Sequence, residues 1–104
     1  MTMDAKQVNE LKDELIASWK ITMPDDHAIS NSEQIFEALH RRIAELLCHD
    51  MQRLLTAIYR LDVSERNFDA AMSLSTTEEV ARALARSVLE RELQRLHSRR
   101  QHRN

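Results

Sequence analysis

Three ionisable residues stand where the helical periodicity of this chain asks for apolar ones: His40, Asp50 and Glu92. With Phe36 set at 0° and about 100° per residue, His40 falls near 40° and Asp50 near −40°, both inside an apolar stripe. Ionisable groups are costly to bury unless they are paired. Glu92 sits among Val88, Leu89 and Leu96, so it needs a cation such as Arg82, Arg86 or an Arg of the second helix. These three are the candidate buried polar or interface residues. His40 and Asp50 lie about 15 Å apart along one helix, too far to cooperate within it.

Metal chemistry has two weak footholds. Glu37-Ala38-Leu39-His40 has the Glu-x-x-His spacing of di-iron helix bundles, but such a site needs two of these motifs and two further inward Glu residues. Cys48-His49-Asp50 offers three metal-capable side chains, yet consecutive helical residues diverge by about 100° and do not converge on one ion. Cys48 reads as a small apolar flank residue. No catalytic, cofactor-binding or metal-ligating set is assigned, and the chain reads as non-enzymatic and free of cofactor.

Arginine carries the remaining chemistry. From Arg91 to Asn104 there are five Arg (Arg91, Arg95, Arg99, Arg100 and Arg103) against one Glu. Cations that neutralise phosphates release counterions, so these five are candidate polyanion contacts. The stretch has no aromatic side chain for base stacking, and Arg near a helix C-terminus is also favoured by the macrodipole. Charge is uneven along the chain. Residues 1–50 hold five basic and ten acidic side chains, and residues 51–104 hold ten Arg and seven acidic ones.

The elements that must position these residues are helices. The 104 residues include no Gly and one Pro. Tight hairpins and phosphate-cradling loops draw on Gly for positive φ and close backbone approach, so β-rich folds and the common nucleotide-binding enzymes are disfavoured. A chain of this length makes one domain. No run approaches the roughly 18 apolar residues of a membrane span, and the start of the chain has no apolar signal-peptide core. The lone Cys48 forms no disulfide within one chain. A soluble protein of the reducing cytoplasm is expected, with no membrane partner.

Capping patterns divide the chain into four helices, at about 4–19, 31–61, 64–73 and 76–98, with a basic tail at 97–104. Asp4 and Gln7 suit a capping box, as do Ser30 and Glu33, and Ser75-Thr76-Thr77-Glu78 opens the last helix. Val8, Leu11, Leu15 and Trp19 mark the first apolar face. Phe36, Leu39, Ile43, Leu47, Met51, Leu54, Ile58 and Leu61 recur near every 3.6 residues, which predicts one nearly straight helix of about 45 Å. That exceeds the roughly 34 Å diameter expected of a compact chain this size. The segment Ile58-Tyr59-Arg60-Leu61-Asp62-Val63-Ser64-Glu65, with Leu89-Glu90-Arg91-Glu92-Leu93, resembles small all-helical bacterial proteins of unassigned function. The resemblance implies a bacterial, cytoplasmic protein and no activity.

The sequence thus reads as an all-α single domain, 1–104, with a long central helix, forming a helical-bundle homodimer that docks onto an unidentified protein partner. A two-fold antiparallel pairing of the long helix centred near Glu45 sets Phe36 on Leu54, Leu39 on Met51 and His40 beside Asp50 of the second copy. A nucleic-acid-associated accessory protein using the Arg-rich end is the alternative. A small metal- or ligand-binding enzyme centred on His40 is the third reading.

Overall fold

The computed structural model describes residues 4–23 and 31–101. Among them are five helices and no strand: α1 (Ala5–Trp19), α2 (Ser32–His49), α3 (Met51–Leu61), α4 (Glu65–Met72) and α5 (Thr77–Gln101). Side-chain caps start each of them. The Asp4–Gln7 capping box opens α1, and the box that opens α2 is Asn31–Gln34. The expected Ser30–Glu33 box is displaced by one residue, and Ser30 itself lies outside the described residues. Ser64 caps α4 through Asn67 N–H. Thr76 Oγ1 accepts from Glu79 N–H at 3.1 Å and donates to the Glu79 carboxylate at 2.9 Å.

The single long helix expected over 31–61 is two helices, broken at Asp50. The Asp50 backbone leaves the helical region (φ −154°, ψ 68°), and its carboxylate accepts the Arg53 N–H at 3.1 Å. Asp competes for backbone donors and so favours caps over helix interiors, which is why the chain turns here. The longest helix is α5 instead. Its 25 residues run about 37 Å, close to the longest molecular dimension of 39 Å. It continues to Gln101, so the stretch from His97 to Gln101 is helix, where a frayed tail was expected.

The core closes within one chain. α5 packs most extensively on α2 and α4, with α1 and α3 completing the cover. Leu11 and Leu15 of α1, Ile35, Leu39 and Ile43 of α2, Leu54 of α3, and Leu84 and Val88 of α5 are fully buried. Ala81 and Ala85, also buried, let the α5 backbone approach its neighbours closely. This overturns the antiparallel dimer register. Leu39, Ile43 and Leu54 are already covered by their own chain, and the straight helix that would align them with a second copy is absent.

Candidate functional site

Two helices end on residues in the left-handed conformation, Lys20 after α1 (φ 58°) and Asp62 after α3 (φ 62°), in a chain with no Gly to take those positions. Each end is gripped by an arginine from another helix. Arg42 Nε of α2 donates to the Trp19 carbonyl at 2.8 Å, and Arg91 Nε of α5 donates to the Leu61 carbonyl at 3.0 Å. The first of these grips helps to fix one wall of a cleft of about 590 Å³ between the end of α1, the outer side of α3 and the second half of α5.

Five basic side chains line this cleft: Lys20, Arg42, Arg53, Arg60 and Arg95, with Glu92 the single acidic residue among its lining groups. They come from four helices or helix ends distant in sequence. Two of the five are committed. Arg42 also pairs with Glu45, and Arg95 Nη1 lies 3.0 Å from Glu92 Oε1. Arg53 meets Asp50 only at 3.9 Å, and both are well exposed, so water screens that pair. The side chains of Lys20 and Arg60 have no ion pair or hydrogen bond among the described residues. Among the described residues, the cleft therefore carries more positive charge than acidic side chains neutralise.

Glu92 is 1% exposed, and its Oε2 has no hydrogen-bond partner among the described residues. Burial pushes its pKa above the ordinary glutamate value. Arg95 opposes that shift, Glu14 of α1 adds to it, and Arg99 opposes it further. Its partner is thus Arg95, one turn along the same helix, rather than Arg82, Arg86 or an Arg of α2.

The other sequence candidates scatter. His40 of α2 is buried, stacked on Phe36 with ring centroids 6.3 Å apart. Its Nδ1 is 3.8 Å from Glu37 Oε2, which is too long for a hydrogen bond, and its Nε2 has no partner. Arg82 lies over the Phe36 ring and 3.6 Å from Glu37 Oε1. Asp50 is exposed and caps α3, so it is not a buried polar residue. No group of three His, Cys, Asp or Glu able to hold a metal occurs among the described residues. Cys48 is a free, exposed thiol.

The described arginines of the Arg-rich end are each engaged within the chain. Arg91 is spent on Leu61 and Gln94, Arg95 on Glu92, and Arg99 lies 3.4 Å from Glu14. The Arg100 side chain and Arg103 lie outside the described residues. Of the three described, Arg95 lines the cleft and Arg91 and Arg99 do not. The sequence reading missed Lys20, Arg53 and Arg60. A signal for two of them exists: Arg53 and Arg60 are seven apart, hence on one face of a helix, and that face turns away from the buried Leu54 and Ile58.

None of the helices is long and apolar enough to cross a membrane, among the described residues. Set against known protein families, curated proteins and solved structures, the chain matches none.

Proposed function

We propose that this is a non-enzymatic accessory protein that contacts nucleic acid through the basic cleft, holding backbone phosphates on Lys20, Arg53 and Arg60. The observation that carries the reading is the gathering of these three uncommitted or weakly committed cations at one cleft from two separate stretches of chain. Helix-dipole stabilisation accounts for Arg60 in the last turn of α3, where a cation is favoured. It does not account for Arg53 in the first turn of the same helix, where the dipole opposes a positive charge. The Asp50 carboxylate stands at that end too, 3.9 Å from Arg53, but both side chains are well exposed, so water screens the pair and an incoming anion competes for Arg53.

This reading displaces the protein-docking homodimer as the first choice. That expectation drew on a straight helix too long for its own globule, and Asp50 divides that helix. Bacterial origin and a reducing, cytoplasmic home remain part of the proposal.

The test is the salt dependence of oligonucleotide binding. Each phosphate neutralised contributes roughly −0.7 to the slope of log K against log salt for a single strand and about −0.9 for a duplex. The double variant Arg53→Gln/Arg60→Gln is expected to weaken binding and flatten the single-strand slope by roughly 1.4. An unchanged slope, with binding intact, places the phosphates elsewhere and refutes the reading.

A further inference from the structure

Tyr59 is the chain's only tyrosine, and it is 86% exposed. Large aromatic side chains are ordinarily half or more buried, and this one gives up most of that stabilisation. Its place on α3 relates it to the cleft. Thr56 lines the cleft, and Tyr59 follows it by three residues, so the two are neighbours on the helix surface. Leu55, four residues before Tyr59 and 38% exposed, extends the same outer strip. Arg53 and Arg60 lie about 100–120° further round the same helix, inside the cleft, with Thr56 between them and the strip. One helix therefore presents cations into the cleft and a bare aromatic ring on the adjoining face, across the rim that Thr56 forms.

We propose that the cleft and Tyr59 together take single-stranded nucleic acid, with phosphates along Lys20, Arg53 and Arg60 and one base stacked on the Tyr59 ring. This rests on the phosphate-binding reading of the cleft and adds the form of nucleic acid that it selects. A positively charged groove beside an exposed aromatic side chain is the arrangement that binds unpaired strands without strong sequence preference, because every base has a π-face. A duplex keeps its bases stacked on each other and offers none to Tyr59. The apolar Leu55 beside the ring gives the base edge a second contact. Glu92 does not oppose the strand strongly, since Arg95 covers one oxygen and the carboxyl is buried below the cleft surface.

The experiment measures fluorescence anisotropy of end-labelled thymidine and uridine oligomers of about twelve nucleotides, a duplex of the same length, and competing inorganic polyphosphate. The proteins compared are wild type, Tyr59→Ala and Tyr59→Phe. Because Tyr59 is exposed, both variants are expected to keep the wild-type thermal transition, which is checked by circular dichroism. The expected result is preference for both single strands over duplex and polyphosphate. Tyr59→Ala is expected to lose about tenfold in single-strand affinity with an unchanged salt slope, and Tyr59→Phe to retain it. Equal binding of single strand, duplex and polyphosphate, or a Tyr59→Ala variant with wild-type affinity, overturns the stacking proposal while leaving the phosphate reading intact. Failure of every probe to bind overturns both.

Discussion

Arg42 fastens the end of α1: its Nε donates to the backbone oxygen of Trp19 at 2.8 Å, from a side chain only 16% exposed. The last carbonyls of a helix have no intrahelical donor, and a half-buried one needs a partner from elsewhere. Arg91 performs the same service for Leu61 at the end of α3. Arg42→Ala is therefore expected to lower the unfolding free energy by about 1–3 kcal/mol, because it leaves a carbonyl unsatisfied as well as deleting a bond to a charged donor. Urea denaturation measures this. A change within experimental error shows that water replaces the guanidinium without cost.

Lys20 is left-handed at φ 58°, a conformation that crowds Cβ against the carbonyl for any residue but Gly. Lys20→Gly is expected to raise stability by roughly 0.5–1 kcal/mol, relief of that crowding outweighing the greater freedom of Gly in the unfolded chain. A lowered melting temperature shows instead that the lysine side chain makes a stabilising contact at this corner.

Asp50 caps α3 and interrupts what is otherwise a continuous apolar stripe. Asp50→Ala is expected to cost about 1 kcal/mol in chemical denaturation, the usual loss for a removed N-cap. A more stable variant shows that tertiary packing, and not the cap, holds the bend.

Glu92 makes stability depend on pH with a definite sign. Burial raises its folded pKa above the unfolded value, so the folded state binds this proton more tightly. The benefit is complete below the unfolded pKa and is lost as pH rises through the folded one. Over that window the wild type is expected to lose stability relative to Glu92→Gln, which has no proton to release. The comparison is made by denaturation at a series of pH values from acid to neutral. A difference that stays constant across the range means that Arg95 and Arg99 fully offset the burial.

Much of this fold is visible in the sequence because its signals are local. The Asp4–Gln7 box and the Val8, Leu11, Leu15, Trp19 series each need only neighbouring residues, and the structure contains both, whereas the box expected over Ser75–Glu78 is displaced by one residue to Thr76–Glu79. The break at Asp50 escaped because the apolar series keeps its period across it: Leu46, Leu54 and Ile58 are buried on either side of an exposed aspartate. A good cap residue in mid-helix was the available sign, and His40's similar position in the stripe suggested a buried pair instead. Burial of Glu92 and His40 followed from their angular positions. The cleft did not, because Lys20, Arg53 and Arg95 meet only through the packing of three helices, and charge density in the sequence drew attention to the Arg-rich end. There, three of the arginines are engaged by Leu61, Glu92 and Glu14.

The indole of Trp19 is 4% exposed, is the only one in the chain, and belongs to the wall of the cleft beside Lys20. Its surroundings give the folded protein an intrinsic optical gauge. Emission from an indole shielded from water lies to the blue of a solvated one, so intrinsic fluorescence follows global unfolding with no competing tryptophan. The same ring sits one residue from an uncommitted cation and on the carbonyl that Arg42 grips, so small movements at that corner alter its quenching. Binding and unfolding can thus be read in one cuvette without a label, and a spectral change in the first without a red shift separates occupancy of the cleft from loss of the fold.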